Sequence, residues 1–409
     1  MDPARSPSPR HILPPVLGPV FRAQRALPEN VRALSWVSCA NDFSSELIYP
    51  IVPLFLRSLG ASFAVIGLIE GLAEGVAVGL RGIAGWLSDR WGGRRLPWVA
   101  GGYGAAAVSR PIMALAPAWG FVLVARLVDR VGKALRTAPR DALIADSTPP
   151  ELRGAAFGYH RALDTVGGVL GPLAAFALLA ADVRLRVVIA CSIVPAVAAL
   201  VLLRRVHEPP AKQPQPPPVR SFVPARLLPR RFWIVLGMLV VFSVGNSADT
   251  FLILRANDLG LSVSLTVLAY ALFNTTNALL SWPLGALSDR VPRVRLLVAG
   301  LLVFALVYGG LAWADTSWVV WPLFALYGCY LAATDGVARA FVADYAPREA
   351  GGTAYGIYAA ALGGAALVAS VTAGILWTEI GPRAPFVLGA LTALLGAALL
   401  ATQMRRAPP

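Results

Sequence analysis

Apolar stretches long enough to cross a bilayer recur along this chain, and that recurrence limits its fold more than any other feature. A spanning helix needs about 20 mainly apolar residues. Twelve such stretches can be marked: 34–57, 63–88, 96–115, 118–145, 155–180, 186–204, 232–255, 263–288, 294–314, 317–344, 354–379 and 384–404. Hydrophobic residues make up 57% of the 409 positions and charged residues 14%, against about 25% charged in a soluble domain. A chain this apolar would expose large greasy patches in water. The reading is an all-α polytopic membrane protein.

Two hydrophilic stretches organise the rest. Residues 1–33 hold Arg and Pro but no apolar core of a signal peptide, and read as a cytoplasmic tail. Residues 205–231 are too Pro-rich for helix and read as an extended linker. The domain expectation is therefore a tail, a bundle at 34–204, the linker, a second bundle at 232–404, and a short tail at 405–409. With the N-terminus inside, the inner segments carry 22 Lys and Arg and the outer segments five. By the positive-inside rule this places both termini in the cytoplasm. The net charge of +14 is thus assigned to membrane orientation, not to nucleic acid. Cys39, Cys191 and Cys329 lie singly in apolar stretches without a CxxC partner, so no disulfide framework, metal or cofactor is expected.

The halves repeat. Gly85-Trp-Leu-Ser-Asp89-Arg90 follows span 2, and Gly285-Ala-Leu-Ser-Asp289-Arg290 follows span 8. Ala145-Asp146 with Gly154 and Gly158 recurs as Ala343-Asp344 with Gly352 and Gly356, at one offset of 198. Parallel six-helix repeats of this kind place a substrate site near the midplane between the halves.

The loop after span 2, GWLSDRWGGRR, resembles the Gly-x-x-x-Asp-Arg-x-Gly-Arg-Arg signature of the major facilitator superfamily (MFS). The resemblance covers about 34–404. It implies 12 transmembrane helices in two pseudo-symmetric six-helix bundles. It also implies a gating role for Gly85, Asp89, Arg90, Gly92, Arg94 and Arg95, with Asp289, Arg290 and Asp146 in the repeated motifs. In the family the carboxylate at Asp89 faces the N-terminal end of span 11, where a helix dipole favours negative charge. Span 5 reads Gly158-x8-Gly167-x3-Gly171-Pro172, which resembles the antiporter motif of drug-efflux members, with Ala175-Phe176 where that motif has Gly-Gly.

Ionisable residues inside spans are costly and mark function by default. Asp42, Glu46, Glu70, Glu74 and Asp164 are the proton-coupling candidates. Span 4 carries Arg126, Arg130 and Lys133, with Arg136 beyond, at helical spacing. This stripe, with Arg110, His160, Arg161, Asn246, Asn274 and Asn277, supplies the substrate-binding candidates, and Arg161 and Asp164 are expected to pair locally. Tyr270, Phe273, Tyr327 and Tyr330 are expected on the milder second-half wall. A basic wall suits an anion held by Arg forks. The functional expectation is a monomeric, non-enzymatic transporter in a bacterial inner (plasma) membrane. It would use protons to export an anionic or amphiphilic small molecule, with the lipid bilayer as its other partner. Import of an organic anion, or a non-transporting sensor, are the alternatives. GxSxG, HExxH and P-loop motifs are absent from the sequence.

Overall fold

The computed structural model describes residues 27–90, 94–208, 228–288, 290–345 and 351–402; side chains at 79, 81–87, 89–90, 343 and 351–352 lie outside that description. Most of the expected tails and linker, together with Gly92 and Asp289, fall outside the described residues. These residues form fifteen α-helices and two 3₁₀ turns, with no strand among them. In chain order the helices are α1 (Glu29–Ile48), α2 (Val52–Ser58), α3 (Phe63–Arg90), α4 (Leu96–Ala114), α5 (Trp119–Asp146), α6 (Arg153–Ala180), α7 (Leu185–Cys191), α8 (Ile193–Leu203), α9 (Arg230–Ser243), α10 (Thr250–Asp258), α11 (Val263–Ser288), α12 (Arg293–Trp313), α13 (Val320–Asp344), α14 (Gly351–Glu379) and α15 (Ala384–Ala401).

Twelve spans result because three of them are broken. Span 1 is α1 plus α2, span 6 is α7 plus α8, and span 7 is α9 plus α10; the other nine are single helices. Pro50 lies in the break in span 1 and Pro53 just beyond it, in the first turn of α2; a proline removes a backbone donor and clashes with the preceding turn. Span 7 breaks at Gly245-Asn246-Ser247, residue types that compete poorly for helix. Seven spans (5, 6 and 8–12) are long and apolar enough to cross a membrane on those criteria alone. The other five are interrupted by the breaks at 49–51 and 244–249, by charge in spans 2 and 4, or by Arg110 in a Gly- and Ala-rich span 3.

The packing repeats with the sequence. Span 1 packs on 5 and 6, span 3 on 4, and span 2 on 4; in the second half span 7 packs on 11 and 12, span 9 on 10, and span 8 on 10. The halves join through two seams, span 2 with span 11 and span 5 with span 8. One end of the bundle carries the Arg-rich loops beginning near residues 94, 204 and 290, and is called here the basic end; the other is the far end. At the far end the loops after α2 and α10 match. Gly60 (φ 80°) and Gly260 (φ 95°) both take the left-handed conformation that closes a helix.

The far end is closed. Glycines Gly67 and Gly71 of span 2 meet the backbone of Ser370 and Leu367, and Gly374 meets that of Phe63, so the two helices touch without side chains between them. Phe63 stacks on Trp377 at 4.7 Å, and α2 touches α10. One buried cluster runs across both halves there, from Phe55 and Ile66 to Phe251 and Trp377. At the basic end the first half keeps a separate core of Val31, Leu34, Val99, Leu143 and Leu203. A core shared at one end and divided at the other leaves room between the halves on the divided side.

Candidate functional site

That room is a cavity of about 750 Å³ between spans 1, 5 and 8. Asp42 and Glu46 face it from span 1, and Gly158, Arg161, Asp164 and Thr165 from span 5. Asn274, Asn277, Ser281 and Trp282 face it from span 8. A second cavity of about 370 Å³ continues from Arg161, Asn277 and Ser281 to Asp335 and Arg339 of span 10. Asp42 and Glu46 share the cavity because they lie four residues apart, on neighbouring turns of one helix face. Gly167 and Gly171 lack a side chain where span 5 meets Cys39, Phe43 and Glu46 of span 1. The small residues of the antiporter-like motif therefore hold the two acid-bearing helices together. Pro172 is buried inside the same helix.

The expected basic stripe does not form a free wall. Arg126 donates a short, charge-assisted bond to Glu70, and its guanidinium lies 5.4 Å from the Tyr49 ring. Arg130 lies 3.5 Å from Glu74. Arg110, 1% exposed, pairs with Asp129 at 3.1 Å and donates to the hydroxyls of Ser44 and Ser45. Arg136 stacks over Tyr103 at 4.9 Å. Arg140 holds Asp141 at 2.9 Å and donates to Ser38. These bonds lace spans 1, 2, 3 and 4 into one block. Across spans 1–5 the carboxylates Asp42, Glu46, Glu70, Glu74, Asp129, Asp141 and Asp164 lie among the bases Arg110, Arg126, Arg130, Lys133, Arg136, Arg140 and Arg161. Lys133 is exposed and, among the described residues, makes no ion pair.

Several expectations are corrected. Arg110, Arg126 and Arg130 are spent on carboxylates, because a charge cut off from water needs a partner. Glu70 and Glu74 are the other halves of two of those pairs and so are not free acids. Asp164 lies 3.7 Å from His160 one turn back, not paired with Arg161; Arg161 faces both cavities instead. Both ring nitrogens of His160 and Oδ1 of Asp164 are buried without a hydrogen-bond partner. Tyr270, Phe273, Tyr327 and Tyr330 are at most 3% exposed and pack in a ring cluster with Phe304 and Tyr308, edge-to-face between Tyr270 and Phe273, Phe273 and Tyr327, and Phe304 and Tyr330, and stacked between Phe304 and Tyr308. Asn246 is bonded to the Tyr330 hydroxyl at 3.2 Å and does not face the cavity, whereas Asn274 and Asn277 do.

The sequence pattern carried no sign of two further bonds. The Tyr270 hydroxyl donates to Glu46 Oε2 at 2.7 Å, from span 8 to span 1. The Tyr327 hydroxyl donates to Asp249 Oδ1 at 2.6 Å. Both join residues distant in sequence, so no local spacing announces them.

Of the loop motifs, Gly85, Asp89 and Arg90 sit on the last turns of span 2, with side chains outside the description. Arg94 and Arg290 are exposed. Arg95 pairs with Asp146 at 3.0 Å. Its counterpart 198 positions on, Arg293, pairs with Asp344 at 2.5 Å. Each pair ties the start of one span to the end of the next within its own half.

Two six-helix halves meeting around a polar cavity, sealed at one end and reached from the other, define a membrane transporter. The sequence profile of the Major Facilitator Superfamily matches residues 34–332 and 250–409, and the chain belongs to that superfamily. An MFS-type transporter of Methanocaldococcus jannaschii, itself described as uncharacterized, is 32% identical over 383 residues, 92% of this chain and 95% of the relative. Tetracycline resistance protein, class C, of Escherichia coli is 25% identical over 367 residues, 86% of this chain and 90% of the relative. The crystal structure of a bacterial homolog of the human lysosomal transporter Spinster, inward-facing and occupied, matches with a TM-score of 0.70 at 19% identity, over 92% of this chain and 96% of that one.

Proposed function

We propose that the chain is a proton-coupled exporter of amphiphilic small molecules, inserted as a monomer in an inner (plasma) membrane with the basic end in the cytoplasm. The observation that carries this reading is the carboxylate set of the cavity: Asp42, Glu46 and Asp164 face it together. Carboxylates in a cavity reached from one end at a time can load a proton on one side and release it on the other. The excess of 22 over five Lys and Arg supports the orientation. Likeness to a tetracycline resistance protein supports export.

The lining also revises the substrate class. Asp42, Glu46 and Asp164 stand against Arg161 in the lining and the nearby Lys133 of span 4, beside the amides of Asn274 and Asn277 and the apolar faces of Val169, Ala278 and Trp282. Such a surface favours a cationic or zwitterionic amphiphile. The anion expected from span 4 loses support, since Arg126 and Arg130 there are paired with Glu70 and Glu74 of span 2.

The test is proton movement in energised everted vesicles, read with a pH-sensitive dye against a panel of cationic and anionic amphiphiles. Dye recovery on adding a cation, lost in Asp42→Asn and Glu46→Gln, is the expected result. Recovery with anions alone would overturn the substrate class. Flux indifferent to the proton gradient would overturn the coupling.

A further inference from the structure

The two halves meet at the far end through contacts that are mostly apolar or backbone-mediated. Phe63 stacks on Trp377, the Ala64 amide donates to Thr378 Oγ1 at 3.2 Å, and Gly67 and Gly71 lie on the span 11 backbone. The bond from Tyr270 to Glu46 differs in kind. It crosses between the halves, and its acceptor is an ionisable group that also faces the cavity. Tyr270 itself is 3% exposed and is held by rings on both sides, Tyr49 at 5.5 Å and Phe273 at 4.7 Å. Its hydroxyl is therefore aimed, not free to follow the carboxylate. Immediately beyond Glu46, span 1 breaks at residues 49–51, and the short α2 that follows forms part of the far-end seal against α10. The bond thus sits just before the break in span 1 that leads into the far-end seal.

We propose that Tyr270 is a positioning residue that locks the empty carrier: its phenol holds ionised Glu46, and through it the far end, shut until a proton or the cation of a substrate takes the carboxylate instead. The argument is one of competition for a single group. A phenol bound to a carboxylate makes a charge-assisted bond, roughly twice as strong as the neutral bond left after protonation. A substrate ammonium entering from the cavity side offers Glu46 a stronger partner than the phenol. Either event weakens the bridge, and the halves become free to rock. With neither bound, the bridge re-forms and the carrier stays where it is. An exchanger needs that property: the loaded forms cross and the empty form does not. Differential interaction with the two states is what lets a ligand shift such an equilibrium.

Other charged groups also surround Glu46. Asp42 lies one turn away on span 1, Arg130 and Lys133 face it from span 4, and Asp164 and Arg161 share its cavity from span 5. Asp42 and Asp164 can titrate too, so a pH response by itself does not single out the lock, and Tyr270→Phe is the informative change. It removes the donor and keeps the ring.

The inference rests on the proposed role of Glu46 as proton carrier, and the experiment separates the two because it uses no substrate. Spin labels placed at Ser58→Cys and Ile380→Cys, on opposite halves at the far end, report opening by electron double resonance. The background has Cys39, Cys191 and Cys329 replaced by Ser. The labelled parent is expected to be closed at pH 8 and to gain an open population by about tenfold at pH 5. Tyr270→Phe is expected to show the pH 5 distribution already at pH 8. Glu46→Gln, which carries no charge at either pH, should do the same and serves if Tyr270→Phe fails to fold. A parent whose distribution ignores pH, or a Tyr270→Phe variant that matches the parent at both pH values, overturns the lock. If the vesicle assay shows no proton-coupled flux but the labels respond as expected, the lock stands and the exporter reading falls.

Discussion

The Glu70–Arg126 pair offers a quantitative test of whether the charged block of the first half is architecture. Glu70 is 1% exposed and Arg126 4%, and the two are in direct contact. Removing one member of a buried pair costs about 3–5 kcal/mol, because the other is left charged and dry. The two single variants should nevertheless differ. Glu70→Leu strands a guanidinium that stays protonated at any accessible pH, so its cost should be the same at pH 5 and pH 7. Arg126→Met strands a carboxylate, which can escape by taking up a proton. For a carboxyl of ordinary acidity that escape costs about 3.7 kcal/mol at pH 7 and about 1 kcal/mol at pH 5, from 1.36 kcal/mol per pH unit. Arg126→Met is therefore stabilised on acidification relative to the parent, the folded variant binding one proton more than the unfolded chain as pH falls toward the ordinary carboxyl range. The double variant Glu70→Leu/Arg126→Met removes both charges and should return to within about 1–2 kcal/mol of the parent. Equilibrium unfolding by SDS in mixed micelles, followed by far-UV circular dichroism at the two pH values, measures all four proteins. Additive losses in the double variant, or an Arg126→Met cost that does not fall with pH, would refute the assignment. Transport retained in a stable double variant would further show that Arg126 holds helices and not substrate.

Four other outcomes follow from contacts already described. Gly67→Val should prevent closure at the far end and abolish transport, since even a Cβ there collides with the Ser370 carbonyl. Gly60→Ala, with open space around it but a φ of 80°, should lower stability by about 1 kcal/mol in thermal unfolding and leave flux intact. Arg95→Ala and Arg293→Ala should each cost no more than about 1 kcal/mol, and less in high salt, because their pairs with Asp146 and Asp344 are partly exposed. Asp249→Asn should fold as well as the parent, its amide oxygen still accepting from Tyr327, while Tyr327→Phe leaves the carboxylate without that donor and should cost about 1–3 kcal/mol on unfolding.

The apolar recurrence and the 198-residue repeat made the span count and two-half organisation legible, since both follow from the length and hydropathy of local segments. Helical spacing also placed Asp42 with Glu46, and Arg126 with Arg130, on common faces. Spacing within one helix cannot say which neighbour that face meets. Arg126 and Arg130 read as a bare basic stripe until span 2 is set against them, whereupon Glu70 and Glu74 occupy the facing turns. The same limit hid Tyr270, 224 positions from Glu46. It also misdirected the pairing of Asp164: residues 161 and 164 are near neighbours on a helix, but so are 160 and 164, and only packing chooses between them.

The two halves keep a common plan and divide the work. Matching loops at Gly60 and Gly260, and matching pairs at Arg95–Asp146 and Arg293–Asp344, preserve the repeat at both ends of the bundle. Between those ends the halves differ. The first is held by ion pairs among spans 2, 3 and 4; the second by stacked rings such as Phe304 on Tyr308 at 3.9 Å. Ion pairs and packed rings both make a stiff body, and rocking of one body against another needs stiffness on each side. Their chemical consequences differ. A block already rich in paired charge can keep extra carboxylates at its cavity face, where Asp42, Glu46 and Asp164 lie, while the ring cluster presents a phenol at a fixed position opposite. A strong polar bond, Tyr270 to Glu46, joins the charged half to the aromatic half. The asymmetry of the interior thus places Glu46 on one half and its fixed partner Tyr270 on the other, and under the proposed lock occupancy of the cavity and closure of the far end depend on the same carboxylate.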